Sequence, residues 1–271
     1  IYLSPAWPNF AAAAAIGGAT PVAVTQDFTG NGWTFDPQKI RDAITPKTKA
    51  LFINTPSNPS GWTADVETLR EMLAIARQHG LWIIADEIYA HFYYGARRAP
   101  SFLDVMDPED RIIFVNSFSK NWAMTGWRVG WLVAHPSLGQ TIENLIQYST
   151  SGVAQFMQRG AVVALNQGDD FIRSQVERAH KARDILCARL AATGRVHLSP
   201  PAGAFYLMFG IEGISDSYRA AFDIVDQAKV GLAPGTAFGD GGGAFLRLCF
   251  ARRLDEIETA ADRLAEWIRS R

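Results

Sequence analysis

Residues 117–131 read SFSKNWAMTGWRVGW. Lys120 sits there among small and aromatic residues, with Ser117 and Ser119 just before it and Arg128 eight residues after. An ammonium taken out of water is costly unless it is paired or loses its proton. A lysine in this company therefore needs a chemical reason. Two other apolar runs also end in unusual polar residues. KALFINTP (49–56) leads into Asn54 and Asn58, and LWIIADE (81–87) ends in Asp86, with Glu87 and Tyr89 next. The run DRIIFVNS (110–117) ends in Ser117, with Ser119 and Lys120 just beyond. In open α/β sheets, ligands bind at the carboxyl ends of the strands. If these three strands are neighbours, one rim holds an amide, a carboxylate, a phenol, two hydroxyls, a lysine and an arginine.

Each residue also has an ordinary use. Asn58 between prolines can make a turn, Asp86, Ser117 and Ser119 can cap helices, and Arg128 can pair with any carboxylate. Their placement at successive strand ends favours a shared ligand. Ser117, Ser119 and Arg128 suit a phosphate, with two hydroxyl donors and a planar guanidinium that binds oxyanions bidentately. Asp86, partly desolvated at the end of an apolar strand, suits a protonated ring nitrogen. A lysine amine becomes nucleophilic when burial and cationic neighbours lower its pKa. Phosphate, ring nitrogen and Schiff-base lysine together describe pyridoxal 5'-phosphate.

The elements that must position these groups are legible as periodic patterns. IYLS (1–4) and PVAVT (21–25) read as strands, and GWLVAH (130–135) is a fourth apolar run after the three above. FDPQKIRDAI (35–44) starts a helix, with Asp36 as cap and Pro37 at its first position. TADVETLREMLAIARQHG (63–80) has helical apolar spacing, a threonine N-cap and a closing glycine. Short apolar strands separated by amphipathic helices predict an α/β, three-layer large domain, its mostly parallel sheet covered by helices. Helical segments fill 137–167, and 169–193 reads as one long amphipathic helix. Strand, helix, strand, helix then follow, which predicts a smaller C-terminal α+β domain. The boundary is expected near residue 168, giving a cofactor-binding domain at 1–168 and a small domain at 169–271. AAAAA (11–15) reads as helix and GDGGG (239–243) as a turn, since it lacks the strand-to-helix context of a dinucleotide loop.

The motifs, in order, are NTPSNPSG (54–61), DEIY (86–89), SFSKNWAMTGWRVG (117–130), PPAGAFY (200–206), and APGTAFG followed by FLRLCFA (233–251). Taken together they resemble the fold-type I, aspartate aminotransferase-like enzymes of the class I/II aminotransferase family. The resemblance spans nearly the whole chain and implies a role for each matching residue. Lys120 would carry the cofactor as an internal aldimine and act as general base at the substrate α-carbon. Asp86 would pair with the pyridine nitrogen, and Asn58 and Tyr89 would hydrogen-bond the ring oxygen. Ser117, Ser119 and Arg128 would hold the phosphate. Trp7, in PAWPNF, would stack on the ring, its ordinary alternative being a core tryptophan. Arg247, in FLRLCFA, would hold the substrate α-carboxylate, with Asn58 also binding the substrate. The family also has an N-terminal portion before the point matching residue 1. That portion supplies a glycine-containing phosphate loop, substrate-pocket residues and a tyrosine reaching the neighbouring subunit, so part of the site is expected to lie outside this sequence.

The resemblance implies a transaminase that moves an amino group between an L-amino acid and a 2-oxo acid, working as a homodimer with shared active sites. The same residues support β-elimination or cyclising lyase chemistry, because the cofactor makes the carbanion in either case. A further alternative is the effector domain of an aminotransferase-like transcription regulator. Formal net charge is −1, which gives no sign of a nucleic-acid partner. No apolar run reaches membrane-spanning length. The two cysteines, Cys187 and Cys249, have no metal-ligand spacing, and the five histidines form no HExxH pattern, so no metal is expected. Two cysteines in 271 residues fit a reducing, cytoplasmic compartment.

Overall fold

The apolar runs of the first half line up as a sheet in the computed structural model, which describes residues 1–271. The strands of this half are β1 (Tyr2–Ser4), β2 (Ala23–Thr25), the separate hairpin β3 (Asp27–Phe28) and β4 (Trp33–Thr34), β5 (Ala50–Asn54), β6 (Trp82–Asp86), β7 (Ile112–Ser117) and β8 (Gly130–Val133). The main sheet has six strands in the order β2-β1-β5-β6-β7-β8. All of its pairings are parallel except β7 with β8. The run at 130–135 thus forms a strand that runs against its neighbours. The connection 118–129 holds only short helical turns, Phe118–Asn121 and Thr125–Trp127, and no crossover helix to carry the chain back along the sheet, so it returns antiparallel. Helices in this half are α1 (Asn9–Ile16), α2 (Pro37–Ala43), α3 (Val66–His79), the single turn α4 (Phe118–Asn121), α5 (Gly139–Ser149) and α6 (Gln155–Gln167).

Helix α3 shows why the chain folds this way. Leu69, Met72, Leu73, Ile75 and Ala76 lie on one face and are buried, against the buried strand residues Leu51, Ile53, Ile83 and Ala85. Burying each Leu, Ile or Met side chain here contributes about 1.5–3 kcal/mol. Gly80 ends the helix in the left-handed conformation, which glycine adopts without a Cβ penalty. The N-cap is not Thr63, as the sequence suggested, but Asp65, whose carboxylate accepts from the Thr68 N–H at 2.7 Å. Asp36 does cap α2, accepting from the Gln38 N–H.

The second half builds a four-stranded antiparallel sheet in the order β11-β12-β10-β9. Its strands are β9 (Val196–His197), β10 (Tyr206–Ile211), β11 (Ala233–Pro234) and β12 (Phe245–Cys249), and its helices are α7 (Asp169–Ala191), α8 (Ser217–Ala228) and α9 (Leu254–Arg269). Every residue of β10 is buried. This second core also takes in Tyr89 and Phe92 from just after β6. The smaller unit therefore holds a piece of the larger sheet's rim in its own core. The GDGGG segment forms a turn that packs on the ends of β1 and β2. The Ser4 hydroxyl donates to the Asp240 carbonyl at 2.7 Å, and a Cβ on Gly241 would come within 2.7 Å of Thr25. No helix is long and apolar enough to cross a membrane.

Candidate active site

Three consecutive strands of the sheet, β5, β6 and β7, end side by side, with Asn54 level with Asp86 and Asp86 level with Val115. Asn54 ties the first two ends together. Its amide donates to the Asp86 carbonyl at 3.1 Å, and its side-chain oxygen accepts from the Asn58 N–H at 2.9 Å. The NPSG loop is thereby folded back over the end of β6. Its other fastening is glycine against glycine. A Cβ on Gly61, where φ is +69°, would meet Pro201 at 2.3 Å, and one on Gly203 would meet Pro56 at 2.6 Å. The Gly203 N–H donates to the Gly61 carbonyl at 3.1 Å. The NPSG and PPAGAFY motifs thus interlock at two positions where only a glycine fits.

Asp86 is 5% exposed. It caps no helix, because the chain turns after it, and its carboxylate accepts from the Ile88 N–H at 3.3 Å. Burial pushes its carboxyl up to about 7, and neighbouring Glu87 adds to this, while the Ile88 N–H and Lys120 pull the other way. A cation placed against this carboxylate would restore its charge. Glu87 points elsewhere, accepting from the Ser101 hydroxyl at 2.7 Å and from the Phe102 N–H at 3.1 Å.

Lys120 lies on α4, directly after β7, and is half-buried. Burial lowers its pKa. Arg128 and Arg247 lower it further, opposed by Cys249 and Asp86. The reversed strand β8 brings Arg128 here. Because β7 and β8 are antiparallel with Ser117 opposite Gly130, the connection begins and ends at the same rim. Arg128 adopts a left-handed backbone (φ +54°, ψ +45°), stays exposed, and donates to the Thr125 carbonyl at 2.8 Å. Ser117 caps α4, its hydroxyl oxygen accepting from the Ser119 N–H at 3.0 Å, and Ser119 is buried. Capping uses a lone pair of Ser117 and leaves its hydroxyl hydrogen free for another acceptor. Trp7, in the turn between β1 and α1, is 38% exposed, which rules out the core-tryptophan alternative.

Arg247 projects from β12 toward the same place. Its Nη1 donates to the Asn58 side-chain oxygen at 2.9 Å, across a sequence separation of 189. Its guanidinium lies between two rings, 4.5 Å from the centroid of Tyr206 and 4.7 Å from that of Phe238. Its Nε is buried without a hydrogen-bond partner. A buried donor left unpaired is costly, so the guanidinium is set up to receive an acceptor. Tyr89, 2% exposed, shares a hydrogen bond of 3.2 Å with the Tyr206 hydroxyl. Burial raises the Tyr89 phenol well above its ordinary range, and Tyr206 and Asp86 raise it further.

Tyr206 closes the PPAGAFY motif but has no role in the reading from the residues alone. Cys249 was missed as well. It lies two residues after Arg247 on the same face of β12 and is close enough to influence Lys120 and Tyr206. Strand alternation after Arg247 was the signal that would have found it.

The arrangement holds an amine whose pKa burial lowers, a buried carboxylate able to receive a cation, two hydroxyls and an arginine at the same rim, and a second guanidinium whose Nε lacks an acceptor. The family described as aminotransferase class I and II matches residues 1–264. An aspartate aminotransferase from Thermotoga maritima is 31% identical over 271 residues, covering 100% of this chain and 69% of that protein. An aromatic-amino-acid aminotransferase from Thermococcus litoralis is 31% identical, covering 99% of this chain and 69% of that protein. The crystal structure of an aromatic aminotransferase from Pyrococcus horikoshii superposes with a TM-score of 0.92 at 28% identity, covering 99% of this chain and 72% of that one.

Proposed function

The chain belongs to the class I and II aminotransferase family, and from that premise we propose that it transfers amino groups between amino acids and 2-oxo acids with pyridoxal phosphate held at Lys120. One observation carries the reading: Lys120, Asp86 and the anion cup share the rim of three adjacent strands, facing an Arg247 with an unpaired Nε. The residues fit the cofactor by their donor chemistry. Asp86 would hold the pyridine nitrogen, and Asn58 and Tyr89 the ring oxygen. Ser117, Ser119 and Arg128 would hold the phosphate, with Trp7 against the ring. When bound, pyridoxal phosphate supplies an electron sink that acidifies the α-proton of an amino acid.

The chain's own residues do the rest. Lys120, whose pKa burial lowers, would take up a proton from the substrate α-carbon at its Nζ and give it back. The Asp86 carboxylate, charged once a cation stands against it, keeps the ring nitrogen protonated. Arg247 orients the amino acid through its α-carboxylate, and the Asn58 bond fixes the plane of the guanidinium. The relatives named above are all aminotransferases, so the lyase and regulator alternatives are not favoured. We read the protein as a homodimer with shared sites. Exposed apolar side chains such as Leu132 on β8, Leu145 on α5 and Phe156 on α6 support this. The unpaired cysteines Cys187 and Cys249 fit a cytoplasmic setting. The two units meet, in this reading, at residue 168.

The test is borohydride reduction of the full-length protein loaded with pyridoxal phosphate, followed by peptide mass mapping. The cofactor mass is expected on the Lys120 peptide, and Lys120→Ala should abolish amino transfer to 2-oxoglutarate. Label fixed on Lys181 or Lys229 instead would overturn the assignment.

A further inference from the structure

Tyr206 touches two groups that the proposed function assigns to different tasks. Its hydroxyl meets the Tyr89 hydroxyl at 3.2 Å, and its ring lies 4.5 Å beneath the Arg247 guanidinium. The sheet makes both contacts possible at once. Tyr206 on β10 pairs directly with Cys249 of β12, which makes it the diagonal neighbour of Arg247. On the other side, its ring stands edge-on to that of Tyr89, with centroids 5.9 Å apart. The side chain is only 7% exposed, so neither contact is an accident of a loose surface ring.

We propose that Tyr206 is a positioning residue with two separable actions. Once the cofactor is bound, its hydroxyl donates to Tyr89, whose own hydrogen turns outward to the cofactor's ring oxygen. Its ring is the platform that holds the Arg247 guanidinium in the plane that receives the substrate carboxylate. The first action follows from the chemistry of a phenol pair. Each hydroxyl has one hydrogen, and the Tyr89–Tyr206 contact uses one of the two. With nothing else facing the pair, Tyr89 is the donor, since the contact raises its phenol and lowers that of Tyr206; an acceptor at the ring-oxygen position takes the Tyr89 hydrogen, and Tyr206 then donates in its place. The charged and titratable groups around the pair are Asp86 beside Tyr89, Arg247 beside both, and Cys249 beside Tyr206. The second action is a cation–π contact within the distance at which such contacts are effective. Phe238 closes the other side at 4.7 Å, so Tyr206 and Phe238 together confine the guanidinium to a slot.

The inference rests on the proposed function, and the two fail in different ways. The measurements are the pH midpoint of the cofactor's visible absorbance in the holoenzyme and the KM for the amino donor, each for wild type, Tyr206→Phe and Tyr206→Met. A donor to the ring oxygen favours its more anionic form, so weakening that donor raises the midpoint. Tyr206→Phe keeps the ring and loses the hydroxyl. Its midpoint should rise, while its KM stays within about twofold of wild type because the platform remains. Tyr206→Met keeps a long apolar side chain, somewhat smaller than tyrosine, but loses the aromatic face, and its KM should rise roughly fivefold to thirtyfold, with the same midpoint shift. An unshifted midpoint in Tyr206→Phe would overturn the hydrogen-directing action. A tenfold or larger KM increase in Tyr206→Phe would overturn the platform action even if Tyr206→Met failed to fold. Wild-type protein that shows no cofactor absorbance, or moves no amino group, would instead overturn the function on which both rest.

Discussion

At the scale of single residues, the site depends on charges held where the protein alone cannot satisfy them. The Asp86 carboxyl, raised by burial from 3.8 to about 7, keeps its proton in the cofactor-free fold over a pH range where the unfolded chain has lost it. The native state then binds more protons than the unfolded one, so stability falls as pH rises from about 4 to about 7. Asp86→Asn should abolish that decline. In urea titrations of cofactor-free protein, the variant should gain on wild type across this window, by up to about 4 kcal/mol. It should also lose roughly a hundredfold or more in turnover. A pH-independent difference would show that Asp86 is ionised in the free fold. Arg247 is the complementary case. Arg247→Ala should lower kcat/KM for an amino acid at least about tenfold, given about 1.5–3 kcal/mol for a charge-assisted hydrogen bond. An amine lacking the carboxylate should be far less affected, and equal losses on both would make Arg247 structural. Most of these residues were legible because each ends an apolar run or interrupts one. Tyr206 was not, because a tyrosine opening an apolar strand looks like ordinary core, and only the fold reveals Tyr89 across a separation of 117.

At the scale of elements, the sheet's strands could be read from their apolar runs, whereas the direction of β8 could not. A run of apolar residues has the same pattern read either way. The N-cap of α3 was misplaced for a related reason. Thr63 and Asp65 are both good caps, and only the backbone turn selects between them. The glycine interlock of the NPSG and PPAGAFY loops is the element-scale feature most open to test. Gly203→Ala keeps an allowed backbone but drives a methyl into Pro56 and the Thr63 hydroxyl, each near 2.7 Å from the new Cβ. It should cost about 1–3 kcal/mol. Gly61→Ala adds the penalty of a left-handed backbone to a 2.3 Å clash, and should cost more. Thermal melts of both variants check the order, and a Gly61→Ala protein as stable as wild type would refute the interlock. Because this loop carries Asn58, both changes should also raise the KM for the amino donor.

At the scale of the whole molecule, the two sheets do not have independent cores, since Tyr89 and Phe92 from the first half are buried in the second. The two halves should therefore unfold together. All of the eight tryptophans except Trp267 precede residue 168, whereas helices lie on both sides of it, α1 to α6 before and α7 to α9 after. Tryptophan fluorescence thus reports mainly on the first half, and far-ultraviolet circular dichroism on the helices of both. In urea their transitions should coincide, and separated midpoints would mean that Tyr89 and Phe92 do not couple the halves. The reversed strand β8 also bears on the order in which the site is built. The Lys120–Arg128 cup closes within one local connection, Ser117 to Gly130, whereas Arg247 must find Asn58 across 189 residues. Local closure costs little chain entropy, and distant contacts cost more and form more slowly. The proposed phosphate cup is thus expected early in folding and the proposed carboxylate clamp late, so a folding chain would become competent to capture the cofactor before it could select a substrate.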